Sequence, residues 1–300
     1  MLTIGGAMCM QDIIVIVGPT GVGKTKLSIE LAKKIDAEII NGDSVSIYKR
    51  LDIGSAKPSI EEREGIPHHL IDIRDVEEEY NVFEYQKDVR NLIEDITSRG
   101  KRVIIVGGTG LYIKAALYDY NFTKTEGTDN TYDALTNEQI FEKIKNYTDN
   151  IDVHVNNRKR LVRLLNKYEN NEVITNNKDK LLYNIITIGL TTDREFLYER
   201  INKRVDTMVA NGLLKEIESL KEYYNKSRIL NSGIGYKEFY NYLFNGEDLT
   251  TTLDNIKQDS RRYAKRQYTF FNHQFETNWF NVDFNNFNNT IEEVYKFISK

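Results

Sequence analysis

Residues 12–25 read DIIVIVGPTGVGKT, and this stretch decides the fold. After Asp12, the run to Val17 is β-branched and apolar, as expected of a strand that is buried on both faces of a parallel sheet. Gly18 to Thr25 satisfies the pattern G-x-x-x-x-G-K-[ST]. Lys24 to Ile35 follows with apolar residues at helical spacing, so one stripe of this helix would face the sheet. A strand, a glycine-rich turn and a helix in this order are the context of a phosphate-binding loop.

The residue types in this loop suit an anion. Glycines let successive backbone amides and the helix N-terminus point at phosphate oxygens. Lys24 adds a full positive charge, and Thr25 offers its hydroxyl to a magnesium ion that bridges the phosphate groups. The residues predicted to hold the phosphates are Gly18, Pro19, Thr20, Gly21, Val22, Gly23, Lys24 and Thr25. The alternative is a glycine-rich turn with a surface lysine, and the loop does not say which phosphate ester it holds.

Short apolar runs alternate with amphipathic stretches over the first half of the chain. This pattern predicts an α/β fold, a P-loop NTPase-like core with a parallel sheet flanked by helices. Residues 119–181 are polar and Asn-rich with two helical pieces, which indicates an inserted, mainly helical domain. The core would then comprise residues 11–118 and 182–300. Residues 82–99 are predicted to form a helix that ends at Gly100, and residues 184–190 a strand. After that strand the pattern predicts only helices to the end of the chain, the first capped by Asp193 and the next over about residues 213–224.

Composition limits the class of protein. The chain has 300 residues, a formal net charge of −4 and one cysteine, Cys9, so neither a disulfide framework nor a Cys-ligated metal site is expected. Nucleic-acid-binding proteins usually carry an excess of basic residues, and this chain is acidic overall. Any surface that binds nucleic acid must therefore be a local basic patch. No apolar run approaches the roughly 18 residues needed to cross a membrane, and residues 1–10 lack the features of a secretory signal. We therefore expect a cytoplasmic, monomeric protein without a membrane association.

Seven further segments carry a family resemblance. They are residues 43–48 (DSVSIY), 52–58 (DIGSAKP), 66–72 (IPHHLID), 106–112 (VGGTGLY), 197–208 (LYERINKRVDTM), 233–238 (GIGYKE) and 265–267 (KRQ). With the phosphate loop, and in this order, they resemble the tRNA dimethylallyltransferase (IPP transferase) family. Ser46 stands where the family usually has Gln, and Phe270 where it usually has Trp. No Cys/His finger follows, so the resemblance is to the bacterial type.

The resemblance implies a reaction. It is the transfer of a dimethylallyl group from dimethylallyl diphosphate to N6 of the adenine on the 3′ side of the tRNA anticodon, with release of diphosphate. The implied cofactor is Mg²⁺, and the implied partners are dimethylallyl diphosphate and the anticodon stem-loop of tRNA. An adenine in a loop can be extruded more cheaply than one in a duplex.

The resemblance also implies which residues carry the chemistry. Asp43 would accept the proton of the adenine amine, although an Asp after Asn-Gly is equally suited to cap a helix. Arg204 would stabilise the leaving diphosphate together with Lys24 and Thr25. Arg200 stands one turn before Arg204, and a pair of arginines at this spacing is otherwise typical of a solvated helix face. The sequence leaves Arg200 undecided.

Several residues are predicted to contact the tRNA. Thr109 would do so by resemblance, or it would cap the helix that begins there. Two basic clusters fit phosphate contacts on either side of the stem-loop, although such runs are most often solvated surface. One comprises residues 158–160 with Arg163, and the other comprises residues 261–262 with residues 265–266. The predicted tRNA contacts are Asp43, Ser44, Val45, Ser46, Thr109, Lys159, Arg160, Arg163, Lys265, Arg266 and Gln267. His68 and His69 show no metal-ligand spacing, and a turn before a strand explains them without a catalytic role.

Two alternatives remain open from the sequence. A small-molecule or nucleoside kinase would share the loop and the magnesium ion but would turn over ATP without a tRNA product. An RNA-binding module would use the loop to sense a nucleotide, and its tRNA affinity would not depend on Asp43.

Overall fold

The computed structural model describes residues 13–120, 122, 132–170 and 179–300. The chain divides into two compact units, one comprising residues up to Leu117 together with Leu181–Lys300, the other Tyr118–Lys180. The opening segment with Cys9, and Asp12 of the predicted first strand, lie outside the described residues.

The larger unit is built on a parallel sheet of six strands. The strands are β1 (Ile13–Val17), β2 (Ala37–Asn41), β3 (His68–His69), β4 (Arg102–Val106), β5 (Ile185–Thr191) and β6 (Thr277–Asn281). Their order is β3-β2-β4-β1-β5-β6, and each adjacent pair is parallel. Because ligands of such sheets bind beyond the carboxyl ends of the strands, this edge is where the site is expected.

Helices provide the rest of the regular structure. They are α1 (Lys24–Ile35), α2 (Val82–Ser98), α3 (Gly110–Leu117), α4 (Asn137–Lys145), α5 (Arg158–Glu169), α6 (Arg194–Ala210), α7 (Leu213–Ser219), α8 (Phe239–Phe244), α9 (Leu249–Gln274) and α10 (Phe287–Ile298). Within the described residues, no helix combines the length and apolarity needed to cross a membrane.

The central strand explains why the opening motif specifies the core. All five residues of β1 are buried, because it lies between β4 and β5 and is covered on both faces. Leu27 and Leu31 of α1 belong to the same hydrophobic cluster as Ile14 and Ile16. The predicted α/β fold, with a strand, a glycine-rich turn and a helix at its centre, is confirmed.

Two predicted helix ends are also confirmed. The side chain of Asp193 accepts hydrogen bonds from the backbone amides of Glu195 and Phe196, so it caps the N-terminus of α6. Gly100 follows the last turn of α2 with φ +75°, the left-handed conformation that glycine adopts without strain at a helix end.

The prediction of only helices after β5 is wrong. Thr277–Asn281 forms β6, which pairs with β5 at the edge of the sheet. Its sequence, TNWFN, is short and half polar because an edge strand is only partly buried, so it lacks the apolar run of a central strand. The single tryptophan, Trp279, covers Gly189 of β5, where a Cβ would lie 2.4 Å from the indole ring.

Two smaller predictions are also corrected. His68 and His69 do not precede a strand but form β3, which pairs with Ile39 and Ile40 of β2. A strand of two residues shows no periodicity, so the pattern could not reveal it. The helix predicted over residues 213–224 ends at Ser219, and a 3₁₀ turn follows at Lys221–Tyr223.

The smaller unit has a hydrophobic cluster of its own. Its buried members are Tyr132, Ile140, Ile144, Leu161 and Leu165. The cluster joins α4 and α5, which pack against each other. Arg158 at the start of α5 donates hydrogen bonds to the carbonyls of Leu135 and Tyr132 at 2.8 and 2.7 Å.

A buried carboxylate lies in β2, away from the carboxyl ends of the strands. The Glu38 side chain is 5% exposed and accepts a hydrogen bond from Arg99 at 2.8 Å and one from His69 Nε2 at 2.8 Å. The hydrogen bonds from Arg99 lower the pKa of Glu38 to about 2. Burial raises this pKa, and the hydrogen bond from His69 lowers it further. In the folded protein the Glu38 carboxylate therefore stays ionised at pH values at which an ordinary glutamate side chain would be protonated.

We expect the Glu38→Gln variant to be less stable than the wild type at neutral pH, by a difference that shrinks as the pH falls. The folded-state pKa lies below the ordinary value of 4.5. The contribution of the carboxylate is therefore complete above that pH and is lost as the pH falls towards 2. Arg99 is partly exposed, so solvent screening should limit the difference in unfolding free energy to about 1–2 kcal/mol. Urea unfolding between pH 7 and pH 3 measures it, with Asp36→Asn, an exposed carboxylate, as the control. A difference that did not shrink in acid would contradict this assignment.

Candidate active site

The loop between β1 and α1 folds back on itself. Lys24 Nζ donates a hydrogen bond to the Pro19 carbonyl at 2.9 Å. Gly18 has φ +139° and Gly23 has φ +97°, a region that side-chain-bearing residues rarely adopt. A Cβ on Gly18 would lie 2.6 Å from a backbone oxygen of β5, and one on Gly23 would lie 2.6 Å from the ring of Phe287. The path of the loop therefore requires both glycines.

This loop forms one wall of a cavity of about 560 Å³, within the range of small-molecule sites. From the loop, the lining residues are Thr20, Gly21, Gly23, Lys24 and Thr25. From the other predicted positions, they are Asp43, Ser44, Val45, Ser46, Thr109, Arg204, Arg266 and Gln267. The structure thus gathers residues from the ends of β1, β2 and β4 and from α6 and α9 around one space. Gly18, Pro19 and Val22 do not line it.

Two of the cations that line this cavity, Lys24 and Arg204, are strongly desolvated. Burial lowers the pKa of Lys24 to about 8; the Asp43 carboxylate opposes this shift and the charge of Arg204 adds to it. Burial also lowers the pKa of Arg204, again opposed by Asp43. Among the described residues, the Arg204 side chain has no hydrogen-bond or ion-pair partner. The Asp43 carboxylate offsets only part of the desolvation cost of these two cations. An anion bound between them would offset more of it.

Asp43 is fixed at the end of β2. The side-chain amide of Asn41 donates to the Asp43 carbonyl at 2.9 Å, and the Asp43 amide donates to Asn41 Oδ1 at 3.0 Å. The carboxylate oxygen Oδ1 accepts a hydrogen bond from the Gly108 amide at 2.6 Å. Turns rather than a helix follow Asp43, so the helix-capping interpretation is wrong. The side chain instead reaches across to the segment after β4.

The segments after β2 and β4 are packed backbone to backbone. A Cβ on Gly107 would lie 2.2 Å from the Gly42 carbonyl carbon, so only glycine fits there. The Thr109 amide donates to the Gly42 carbonyl, and Thr109 Oγ1 accepts from the Ser44 amide at 3.0 Å. The Thr109 side chain therefore ties the two segments together, and its contact with tRNA stays a prediction.

Arg200, undecided from the sequence, braces the phosphate loop. Its Nε donates to the Gly21 carbonyl at 3.0 Å, and its guanidinium lies 4.1 Å from the centre of the Phe284 ring. Arg204, one turn later, also lines the cavity, as Arg200 does. The pair thus divides into one arginine that is bonded to the loop and one that has no such bond among the described residues.

Gln267 and Ser46 are buried although the sequence predicts that they contact tRNA. Gln267 is 4% exposed and donates from Nε2 to the Gly108 carbonyl at 3.1 Å. Ser46 is 6% exposed, and its carbonyl accepts from the Asp72 amide. Both line the cavity, so contact with an extruded base is compatible with their position, whereas contact with the stem is not. Phe270, which replaces the usual Trp, packs its ring on Gly110.

The two basic clusters divide into structural and exposed residues. Arg158 is held by backbone carbonyls within the smaller unit, and Arg261 donates to Asn202 Oδ1 at 2.5 Å within the larger unit. The remaining predicted cations, Lys159, Arg160, Arg163, Lys265 and Arg266, are exposed. Arg266 lies 5.5 Å from the centre of the Tyr263 ring. The exposed residues are the ones available to phosphate groups.

Sequence reasoning missed two residues that shape the cavity. Glu216 accepts hydrogen bonds from the amides of Asp52, Ile53 and Gly54 at 3.0, 2.7 and 3.0 Å and from the Tyr236 hydroxyl at 2.7 Å. It thereby anchors the segment whose residues Gly54–Ala56 line the cavity.

Tyr263 of α9 is the second missed residue, and its hydroxyl donates to the Gly108 carbonyl at 3.1 Å. Burial raises the pKa of Tyr263 to about 12, so this hydroxyl stays protonated at neutral pH. Nothing in the spacing of α9 sets Tyr263 apart from the other aromatic residues of that helix.

Comparisons with known proteins agree over most of the chain. The sequence profile described as IPP transferase matches residues 46–274. A curated tRNA dimethylallyltransferase from Anoxybacillus flavithermus is 43% identical over 303 residues, which cover 96% of this chain and 96% of that protein.

Solved structures give the same result. A tRNA isopentenylpyrophosphate transferase from Staphylococcus epidermidis has a TM-score of 0.74 and 38% identity, covering 96% of this chain and 99% of that chain. A eukaryotic dimethylallyltransferase described as acting on tRNA has a TM-score of 0.81 and 31% identity, covering 96% of this chain and 80% of that chain.

Proposed function

Because the chain belongs to the IPP transferase family, we propose that it transfers a dimethylallyl group to N6 of the adenine on the 3′ side of the tRNA anticodon. The comparisons confirm the family resemblance of the sequence, and they also confirm the expectation of an enzyme. The observation that carries the proposed mechanism is the shared cavity, in which the Asp43 carboxylate faces the phosphate loop with Lys24 and Arg204.

The proposed donor is dimethylallyl diphosphate. Its diphosphate would lie on the amides of the phosphate loop, between Lys24 and Arg204. Burial takes water away from both positive charges, and the diphosphate would neutralise them. Charge develops on the leaving oxygen as the carbon–oxygen bond breaks, so fixed cations there stabilise the transition state more than the bound substrate. The apolar dimethylallyl group would then extend into the cavity towards Asp43.

The acceptor amine needs a group that takes its proton. In the proposed step the N6 nitrogen forms a bond to the allylic carbon, the carbon–oxygen bond breaks, diphosphate leaves, and the N6 proton passes to Asp43. Gly108 occupies only Oδ1 of that carboxylate. The other carboxylate oxygen is the one proposed to accept the proton.

Magnesium fits the residues present. The ion typically takes one or two protein ligands and completes its shell with phosphate oxygens and water, and Thr25 is an exposed hydroxyl residue at the cavity wall. We propose Thr25 as its protein ligand. When bound, the ion would neutralise charge on the diphosphate.

The decisive experiment incubates the protein with labelled dimethylallyl diphosphate, Mg²⁺ and unmodified tRNA and then analyses the nucleosides. N6-(dimethylallyl)adenosine is the expected product. Hydrolysis of ATP or phosphorylation of a small alcohol, with no prenylated nucleoside, would favour a kinase and refute the proposal. Omitting Mg²⁺ tests the cofactor, and analytical ultracentrifugation tests the expected monomer. We also propose a cytoplasmic location, because tRNA is the proposed substrate.

Removing either exposed arginine should weaken tRNA binding in a salt-dependent way. Each of Arg160→Ala and Arg266→Ala removes one cation that is proposed to contact a phosphate. The slope of log affinity against log salt should fall by about 0.7–0.9 per contact. Filter binding between about 50 and 300 mM salt measures the slope. Lys226→Ala, at a 73% exposed lysine outside both clusters, serves as the control. A slope equal to that of the wild type would remove the tested arginine from the tRNA interface.

A further inference from the structure

Gly108 lies between the proposed base and α9. Its amide donates to Asp43 Oδ1 at 2.6 Å, and its carbonyl accepts from Tyr263 and Gln267, both at 3.1 Å. The two peptide groups of Gly108 are therefore held from opposite sides. Any rotation of this segment would move the donor on which the Asp43 carboxylate rests.

The packing around Gly108 leaves no room for a side chain. A Cβ at this position would lie 1.9 Å from Gln267 Nε2 and 3.2 Å from Asp43 Oδ1. The amide and the carboxylate thus flank the same α-carbon. Because Gln267 is buried, α9 contacts this segment without intervening solvent.

Gln267 is also costly to bury. Its Nε2 must face the Gly108 carbonyl, which can only accept, and this fixes Oε1 on the other side. Within the described part of the chain, Oε1 has no hydrogen-bond partner. A buried acceptor without a partner opposes folding, so an apolar side chain of the same shape would serve stability better. Gln267 is thus better explained by the bond it gives to Gly108 than by stabilisation of the core.

We propose that Tyr263 and Gln267 are positioning residues, which act through Gly108 to fix the Asp43 carboxylate in the orientation that accepts the N6 proton. This inference rests on the proposed function and gives Gln267 a role other than direct contact with tRNA. Tyr263 suits the task because its hydroxyl remains a donor at the pH of the reaction.

The test compares Tyr263→Phe and Gln267→Met with Tyr268→Phe. Tyr268 lies on the same helix, and its hydroxyl bonds to Thr191 Oγ1 at 3.0 Å instead of Gly108. We expect kcat to fall about 10- to 100-fold in Tyr263→Phe and in Gln267→Met, with KM for the donor and for tRNA within about twofold of wild type. The control should keep its kcat. Gln267→Met should melt at the wild-type temperature or higher, because it also removes the unpaired acceptor.

A double-mutant cycle separates positioning from a general effect. In single-turnover assays at high enzyme concentration, Tyr263→Phe should cause little further loss in an Asp43→Asn background, because both changes act on the same proton transfer. Three outcomes would each overturn the proposal. They are rate losses that add in the double variant, an unchanged kcat in the single variants, and an effect confined to a higher KM for tRNA. Wild-type protein that makes no prenylated nucleoside would instead refute the proposed function itself, so the two failures are distinguishable.

Discussion

Asp43→Asn is expected to lower the rate of prenyl transfer by about a thousandfold while leaving the fold and both substrate affinities nearly unchanged. An asparagine oxygen can still accept the 2.6 Å hydrogen bond from the Gly108 amide, so the segments after β2 and β4 should stay packed. The amide that replaces the other oxygen cannot take a proton from the adenine amine. Single-turnover kinetics with labelled donor measure the rate, and filter binding measures tRNA affinity.

The control for this variant is Asp248→Asn. Asp248 caps α9 by accepting a hydrogen bond from the Thr251 amide at 2.9 Å, a task that asparagine performs equally well. It should retain wild-type activity. Turnover of Asp43→Asn at the wild-type rate would remove Asp43 from the mechanism, and loss of tRNA binding together with turnover would make it a binding residue.

Arg204→Ala is expected to lower kcat by about 100- to 1000-fold, because it removes a fixed cation from the leaving diphosphate. KM for the donor should rise less than kcat falls, since the charge that the arginine meets is greatest in the transition state. Arg204→Lys should recover only part of the rate, because an ammonium group offers a point charge instead of a planar pair of donors.

Lys203→Ala is the matched control for Arg204. It removes an exposed cation from the adjacent position of α6 and should leave kcat unchanged. An equal loss in both variants would point to damage to α6 and away from the diphosphate. A change in KM alone for Arg204→Ala would limit its role to ground-state binding.

The phosphate loop and the central strands could be predicted because their signals are local. In residues 12–25, a buried strand, positive-φ glycines and an amphipathic helix all leave marks within one stretch of sequence. Asp43 and Arg204 depended instead on family resemblance, since a carboxylate after a strand and arginines at helical spacing each have common structural explanations. The structure removes the capping explanation for Asp43 and gives the loop-bracing role to Arg200.

Other features could not be predicted because they depend on distant segments. Glu216 meets the amides of residues 52–54 over a separation of more than 160 positions, and Tyr263 meets Gly108 over 155. Neither contact has a periodic or local signature. The burial of Gln267 was missed for a related reason, since its neighbours Lys265 and Arg266 are exposed and made the whole segment look like a nucleic-acid surface.

The lone indole of Trp279 offers a built-in optical probe. Its ring is tilted against that of Tyr268 at 5.2 Å between ring centres, and its Nε1 donates to Asn272 Oδ1 at 2.8 Å. It also covers Gly189 of β5, a contact that exists only when the last strand has joined the sheet. Its fluorescence should therefore report the docking of the C-terminal part of the chain without any added label. Because Trp279 is not among the residues that line the cavity, that emission should follow unfolding while staying almost silent during ligand titrations.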